Sequence, residues 1–371
     1  MAVSRLRQFL TGAPLLSWAA ARVVVLGALA LSRFLAEDLG ARAGERPLAD
    51  LLGWDAAFYR AIAEHGYDAV APDGLRFFPL VPLLARVLAL ALGGNTDVAL
   101  LLVANGSALA AGVFVERLAR RESGNAEVAA RSAWFLALAP PAFVLVMGYA
   151  EPLMIAAVAG GFLALRTRRW GLAGVAGFAA GLSRPLGVLF VVPALIEVWG
   201  QRGHGGSGRG RAGRLAAVAG APLGLATYLG WAAVAYDDAL LPLRLQGDGR
   251  RRGGWTDPVT RLLDAGRDLA GGDLIGSGLH LVWAIGFLAL LVVLVRKWPL
   301  SIAAFSAVVL VAALSARNID SLERYAVSSV GFVLAAASLA TRPVVERLVY
   351  VFAGAVMTAY ATLAFLGAYV P

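Results

Sequence analysis

The chain contains no cysteine and has little histidine or charge. Without cysteine, disulfide bonds and thiolate metal sites are excluded, and cysteine usage gives no indication of the redox compartment. The three histidines, His65, His204 and His280, are too dispersed to suggest a metal cluster. The sequence therefore implies no cofactor and no metal ligands, and it leaves a requirement for a divalent metal open.

Charged residues make up only 15% of the 371 positions, against about a quarter in ordinary globular proteins. Hydrophobic residues make up 59%, and the mean hydropathy is +0.72. Apolar runs such as Val23 to Leu31, Leu279 to Val295 and Ser301 to Leu314 lie inside windows of about 17 to 25 residues, the length that crosses a bilayer. Spanning segments must satisfy their own backbone, so the composition predicts an all-α polytopic membrane protein, with one domain over residues 1–371.

The formal net charge of +9 comes largely from arginines in short clusters between the apolar runs. Basic clusters in short loops usually stay on the cytoplasmic side, so they indicate topology and not a nucleic-acid partner. The candidate cytoplasmic segments are Met1 to Gln8, Arg117 to Arg131, Arg166 to Arg169, Gln201 to Arg214, Arg296 to Lys297 and Arg342 to Arg347.

These segments lie on one side only if an even number of spans separates each neighbouring pair. Three apolar stretches lie between the first two clusters, so one of them must not cross. The best candidate is Phe77 to Leu92, which is short, contains Pro79 and Pro82, and includes Arg86. We therefore expect about eleven transmembrane helices, one juxtamembrane or re-entrant helix, and a cytoplasmic amino terminus in the cell membrane. The expected spans include Ala130 to Met147, Leu186 to Trp199 and Tyr325 to Ala340.

This topology divides the loops by composition. The cytoplasmic loop 201–214 is almost entirely glycine and arginine, which is typical of a flexible tether. Two large loops, 36–96 and 237–275, fall on the extracytoplasmic side with many of the acids and several arginines that the orientation rule does not explain. Candidate functional residues therefore concentrate on the extracytoplasmic side.

The first outer loop predicts an amphipathic helix at the membrane surface. Its apolar residues fall at helical spacing: Trp54, Ala57, Phe58, Ala61 and Ile62. Asp55 stands at the beginning of this helix. Its carboxylate suits either of two roles, an N-cap that accepts backbone hydrogen bonds or a base beside a lipid-borne substrate.

Glu151 and Arg184 stand at the ends of apolar segments, where ionisable groups are costly and tend to pair or to face a polar cavity. The structural alternatives are a carboxylate at a helix amino end for Glu151 and an ion pair with an outer acid for Arg184. Arg324 precedes a late span on the same side. A guanidinium binds phosphate through two hydrogen bonds, so both arginines are candidates for a phosphate site, whereas the run Arg250 to Arg252 is more typical of solvated charge.

The order of these pieces resembles the PIG-V-like mannosyltransferases, which are polytopic glycosyltransferases of the GT-C class. The resemblance covers most of the chain, and its specificity comes from order and spacing, since each string is short. The matching strings are Trp54-Asp55, His65-Gly-Tyr67, Phe77-Phe-Pro-Leu-Val-Pro82, Gly148-Tyr-Ala-Glu-Pro-Leu153, Ser183-Arg-Pro-Leu-Gly187 and Arg324-Tyr325. The sequence departs from the family pattern at His65, where a small amide residue is more frequent, and at Glu323, where proline is common.

The resemblance implies a GT-C fold and a polyprenyl-phosphate sugar as donor, with Asp55 as the catalytic carboxylate. It implies inverting transfer of a mannosyl or similar hexosyl residue to a glycolipid or glycan acceptor, lipid-linked or in the cell envelope, on the extracytoplasmic face. Arg184 and Arg324 are the candidate ligands of the donor phosphate. The remaining candidates for substrate binding are Trp54, His65, Tyr67, Glu151, Gln246 and Tyr325.

Two other functions also place polar residues among many helices. A secondary transporter or lipid flippase should carry ionisable groups near the middle of its spans. Here, Arg22 apart, the span centres are nearly free of them. A noncatalytic subunit of a membrane complex is compatible with the sequence only if Asp55 is dispensable.

Overall fold

The computed structural model describes residues 12–38, 50–200, 208–248, 253–273 and 277–368. Within these ranges the chain forms α-helices joined by short 3₁₀ turns, and its only strand-like pairing is an isolated bridge between Trp255 and Ala316. The helices are α1 (Ala13–Asp38), α2 (Asp55–His65), α3 (Leu80–Ala91), α4 (Thr96–Ser123), α5 (Ala126–Leu138), α6 (Glu151–Arg166), α7 (Trp170–Ser183), α8 (Val191–Gly200), α9 (Gly208–Tyr236), α10 (Leu241–Arg244), α11 (Pro258–Ala270), α12 (Ser277–Lys297), α13 (Leu300–Leu314), α14 (Leu322–Ser328), α15 (Gly331–Leu339) and α16 (Pro343–Phe365).

Five of these helices, α1, α4, α9, α12 and α16, are long and apolar enough to cross a membrane. A sixth crossing is formed if α14 and α15, which meet at an angle of 85°, are taken as one bent span. The all-α membrane architecture that the composition predicts is therefore confirmed, and the count of eleven spans stays a prediction.

Two expected spans are divided, and proline explains the first division. The expected span Ala130 to Met147 begins as α5, which ends at Leu138, and continues as a 3₁₀ segment from Pro140 to Leu145. Pro140 and Pro141 have no backbone N–H, so the α-helical hydrogen-bond ladder cannot continue through them. The expected span Leu186 to Trp199 is also divided, into a 3₁₀ segment from Pro185 to Phe190 and the helix α8.

The expected span Tyr325 to Ala340 is broken rather than straight. Helix α14 ends at Ser328 and α15 begins at Gly331, and between them Val330 has a φ of 68°. A positive φ is unusual for a β-branched residue, and Val330 is fully buried, so the surrounding packing holds this bend in place. The bend sets the direction of α14, which carries Arg324 and Tyr325.

Small residues allow α7 and α9 to pack with their backbones in close approach. A Cβ atom added to Gly220 would lie 2.1 Å from the carbonyl oxygen of Gly174, and one added to Gly181 would lie 2.2 Å from that of Ala221. Such contacts are typical of helix pairs in membranes, where close packing replaces the hydrophobic driving force. This packing fixes the carboxyl end of α7, beyond which Arg184 lies.

Helix α3 has only 12 residues and corresponds to the segment expected not to cross. Arg60, which precedes α3 in the chain, pairs with Asp97, which follows it, with 2.7 Å between Nε and Oδ1. This ion pair joins the chain before α3 to the chain after it. The membrane side of this helix stays a prediction, as do the boundaries of the loops 36–96, 201–214 and 237–275.

Some expectations fall on residues that the structure does not describe. They are the amino-terminal basic cluster at 1–8, the part of the first outer loop at 39–49, the part of the glycine and arginine loop at 201–207, and the run Arg250 to Arg252.

Candidate functional site

A cavity of about 520 Å³ opens among the segments that the sequence places on the extracytoplasmic side. Its wall combines three arginines, two acids, several aromatic rings and a few amide and hydroxyl groups. The lining residues are Trp54, Asp55, Phe58, Tyr59, Arg76, Phe77, Phe78, Ser183, Arg184, Pro185, Leu186, Leu243, Gln246, Asn318, Asp320, Ser321, Arg324 and Tyr325. The volume lies within the usual range for a small-molecule site.

Asp55 is the first residue of α2 and projects its carboxylate into the cavity wall. The N-cap position belongs to Trp54, so the side chain of Asp55 does not serve as the N-cap of this helix. Instead, Nη1 of Arg324 donates to Oδ2 of Asp55 over 3.0 Å. The backbone N–H of Asp55 lies 3.4 Å from the hydroxyl oxygen of Tyr149, which accepts it.

Trp54 fixes the start of this helix. Its indole Nε1 donates to the carbonyl oxygen of Ala364 on α16 over 3.0 Å. Its φ of 55° lies in a region that residues other than glycine rarely adopt, and such conformations cluster at functional sites. Trp54 thus ties the site to the last helix while its ring lines the cavity.

Glu151 joins the two candidate phosphate ligands from behind the cavity wall. It is the first residue of α6, and it is 1% exposed. Its Oε1 lies 3.1 Å from Nε of Arg324 and is also in contact with Nη1 of Arg184. The two structural roles considered for these residues are therefore also present, because Glu151 is the first residue of a helix and Arg184 forms an ion pair with an acid.

Two tyrosines complete this cluster. The guanidinium of Arg184 lies 5.3 Å from the ring centroid of Tyr325, and that of Arg324 lies 5.5 Å from it. Arg324 also lies 5.6 Å from the ring of Tyr149. These are cation–π distances, which orient the guanidinium planes. Burial raises the pKa of the Tyr149 phenol well above its usual value, and the Asp55 carboxylate adds to the rise, so Tyr149 is a neutral hydroxyl.

Gln246 lines the same cavity from the segment that follows α10. Its Nε2 donates to the carbonyl oxygen of Arg76 over 2.8 Å, which joins this segment to the one before Phe77. The guanidinium of Arg76 lies 5.0 Å from the ring of Phe77. Arg76 is a cavity arginine that the sequence reasoning missed, although it directly precedes one of the matched strings and carries a charge that the orientation rule disfavours.

Two expected substrate-binding residues do not line the cavity. His65 ends α2 with its side chain 68% exposed, and its nearest acidic group is Glu64, at 3.6 Å. The hydroxyl of Tyr67 donates to the carbonyl oxygen of Phe77 over 2.6 Å, and its ring packs on Tyr228 and Trp231. Tyr67 therefore supports a cavity wall from outside, and His65 faces solvent.

The sequence reasoning also missed the wall formed by Asn318, Asp320 and Ser321. These residues lie in the segment between α13 and Arg324, where polar residues follow an apolar helix, and this was the available signal. In the part of the chain that the structure describes, no group of three or more acids and histidines is arranged to hold a metal ion.

Comparison with solved structures identifies the architecture. The crystal structure of ArnT from Cupriavidus metallidurans bound to undecaprenyl phosphate matches 96% of this chain and 76% of its own, with a TM-score of 0.54 and 14% identity. The fold is that of a GT-C glycosyltransferase. An Archaeoglobus fulgidus oligosaccharyltransferase, also of the GT-C class, matches 94% of this chain and 53% of its own, with a TM-score of 0.46 and 16% identity. No family model matches the sequence, and no curated protein matches it.

The GT-C fold agrees with the architecture that the resemblance implies. The narrower likeness to the PIG-V-like family stays a prediction, as do the roles of the individual site residues.

Proposed function

We propose that this chain is an inverting glycosyltransferase that moves a mannosyl or similar hexosyl residue from a polyprenyl-phosphate sugar to a lipid-linked or cell-envelope acceptor. The observation that carries this proposal is the meeting of Asp55, Arg184 and Arg324 in the wall of one cavity. A carboxylate beside two guanidinium groups offers what glycosyl transfer from a phosphate requires, a proton acceptor and a cationic site for the leaving group. The GT-C fold supports the same reaction class.

In the proposed step, a hydroxyl oxygen of the acceptor attacks the anomeric carbon of the donor sugar. The bond from that carbon to the phosphate oxygen breaks, and its electron pair leaves with the polyprenyl phosphate. The proton of the attacking hydroxyl passes to the carboxylate of Asp55. A single displacement of this kind inverts the configuration at the anomeric carbon.

Arg324 connects the two halves of this step. Its Nη1 contacts Asp55 and its Nε contacts Glu151, so it is shared between two carboxylates. A donor phosphate that binds Arg324 would compete with both carboxylates for its guanidinium, which brings the leaving group close to Asp55.

The arrangement of charges favours an enzyme over a transporter. Arg22, the arginine near the middle of a span, is held by structural contacts. Its Nε donates to Oδ1 of Asn105 over 2.9 Å, its Nη2 donates to the carbonyl oxygen of Leu145 over 3.0 Å, and its guanidinium lies 4.3 Å from the ring of Trp18. These contacts leave Arg22 with the role of joining helices and not of binding a transported ion.

Substitution of Asp55 tests the proposal. Asp55→Asn keeps the size of the side chain and removes its ability to accept a proton. With purified full-length protein and undecaprenyl-phosphate mannose or glucose as donors, we expect turnover to fall by about 10² to 10⁴ fold. Binding of undecaprenyl phosphate and the melting temperature should change little, because the loss lies in the chemical step.

Asp50→Asn is the matched control. Asp50 lies nearby in the sequence and also pairs with an arginine, with 2.8 Å between Oδ2 and Nη2 of Arg33, but it does not line the cavity. The control should keep near-normal turnover. Near-normal turnover of Asp55→Asn would reject the base assignment and move the search for the base to Glu151. If the wild-type protein neither binds undecaprenyl phosphate nor uses either donor, the proposed function is wrong.

A further inference from the structure

The proposed reaction leaves one buried polar pair without a role. His280 on α12 and Glu323 on α14 are 3% and 0% exposed, and Nδ1 of the imidazole lies 2.8 Å and 3.0 Å from the two carboxylate oxygens. Burying such a pair in an apolar bundle is costly, and an apolar pair of similar volume is often as stable. Its presence therefore calls for an explanation beyond stability.

The other ring nitrogen of His280 connects this pair to the cavity. The hydrogen bond to Glu323 occupies Nδ1 of the imidazole, so Nε2 is left for another partner. Nε2 lies 3.7 Å from Oδ1 of Asp320. The side chain of Asp320 is 34% exposed and lines the cavity. The buried pair thus lies next to a carboxylate that lines the cavity.

The segment that carries Asp320 is fixed on its other side by the second outer loop. The backbone N–H of Thr256 donates to the carbonyl oxygen of Ser315 over 3.0 Å, and that of Arg317 donates to Gly254 over 3.3 Å. Oδ1 of Asn318 accepts from the backbone N–H of Asp320 over 2.8 Å. Contacts on both sides therefore hold Asn318 and Asp320 in one orientation, as a binding site requires.

The cavity wall formed by Asn318 and Asp320 differs in its chemistry from the arginine wall, which Arg184 and Arg324 form. The two meet at Ser321, whose Oγ accepts from Nη2 of Arg324 over 3.2 Å. A carboxylate repels a phosphate, so Asp320 is unsuited to the leaving group. A carboxylate and an amide together accept and donate hydrogen bonds, which matches neighbouring hydroxyl groups of a sugar or other polyol.

We propose that Asn318 and Asp320 form the acceptor subsite of the cavity, that this subsite binds a neutral polyol headgroup such as a hexopyranoside, and that Glu323 and His280 hold Asp320 in place. This inference rests on the proposed glycosyl transfer and deepens it by naming the chemistry of the acceptor. Asp320 contacts the acceptor, whereas His280 and Glu323 are positioning residues that act through it.

The test uses purified full-length protein with undecaprenyl-phosphate mannose as donor and octyl α-mannoside as acceptor. A hydrogen bond to a charged group is worth roughly a factor of ten or more in affinity, so Asp320→Asn should raise the KM for octyl mannoside by about tenfold or more. His280→Gln should raise the same KM by a smaller factor. The affinity for undecaprenyl phosphate should stay within about twofold in both variants, because the arginine wall is intact.

Asp264→Asn is the control, since Asp264 is an exposed carboxylate of α11 that pairs with Arg267 and does not line the cavity. A purely structural role for His280 would lower the melting temperature and kcat without changing the KM. That result, or an unchanged KM in Asp320→Asn, would overturn the assignment. If Asp320→Asn does not fold, Asn318→Ala provides the same measurement.

Failure of this inference is distinguishable from failure of the proposed function. A wild-type protein that binds undecaprenyl phosphate and transfers to simple alcohols equally well with or without neighbouring hydroxyls would refute the polyol subsite and leave the donor site standing. A wild-type protein that neither binds undecaprenyl phosphate nor turns over the donor would refute both.

Discussion

Glu151→Gln is a substitution whose effects on stability and on ligand binding should have opposite signs. Glu151 is almost completely buried and lies between two arginines. At the 3.1 Å between its Oε1 and Nε of Arg324, Coulomb's law gives roughly 5 kcal/mol at an effective dielectric constant of about 20. Removing one partner of a buried pair usually costs about 3 to 5 kcal/mol, so we expect a loss of stability of that size.

The same change should improve binding of an anionic lipid. In the variant, Arg184 and Arg324 no longer compete with Glu151 for a phosphate, and a bound phosphate supplies the missing negative charge. A ligand at 100 times its Kd adds about 2.7 kcal/mol of stability, enough to restore much of the loss. Undecaprenyl phosphate should therefore raise the melting temperature of Glu151→Gln in detergent by more than it raises that of the wild type.

Glu197→Gln is the matched control for this measurement. Glu197 is 8% exposed and pairs with Arg166, with 2.6 Å between Oε1 and Nη1, but it lies away from the cavity. The control should also lose stability, and undecaprenyl phosphate should raise its melting temperature only as much as that of the wild type. An equal rise in all three proteins, or a Glu151→Gln variant as stable as the wild type, would refute the reasoning.

Two further predictions concern the phosphate ligands and the topology. Arg184→Lys keeps the charge but loses the planar guanidinium, so its Kd for undecaprenyl phosphate should rise by about tenfold. The control Arg267→Lys, at an exposed arginine, should bind normally. Equal affinities of the two variants would remove Arg184 from the site. If Phe77 to Leu92 does not cross, cysteines placed at His65 and Gly94 should both react with an impermeant thiol reagent outside intact cells, and one at Gly206 should not. Shielding of Gly94 alone would mean that this segment crosses and that the span count changes.

Four candidate site residues come from four separate matched strings whose order could be read along the chain. Asp55, Glu151, Arg184 and Arg324 are far apart in sequence, and each carries a charge that a membrane protein places at an apolar boundary only at a cost. Because of this cost, the four residues could be selected from the sequence as candidate functional residues. Their direct contact, with Glu151 between two arginines, was not predictable, because it depends on how α6, α7 and α14 pack.

His65 and Tyr67 belong to a matched string but lie outside the cavity. Both lie in a matched string, but α2 ends at His65, and Gly66 has a φ of 86°, so the chain turns there. The turn leaves His65 in solvent and places Tyr67 against Phe77 from outside the cavity. Conversely, His280 lies within an apolar helix and Glu323 departs from the family pattern, so no string indicated that the two would meet.

Counting spans from hydropathy has a physical limit. Hydropathy averages over a window, and it does not register a change of direction inside that window. Val330 interrupts an apolar stretch without a proline or a charge, and the 85° bend follows from packing around a buried valine.

The bend at Val330 also determines which insertions and deletions the gene can tolerate. Helices α14 and α15 lie on either side of it, so the register of one is independent of the register of the other. Deleting one residue between Arg324 and Val330 would rotate the guanidinium by about 100° around α14 and shift it by roughly 1.5 Å, away from both Asp55 and Glu151. A deletion within α15 would disturb packing on the far side of the bend and leave the position of Arg324 on α14 unchanged. Relatives of this chain should therefore vary in length after Val330 and keep the spacing before it constant.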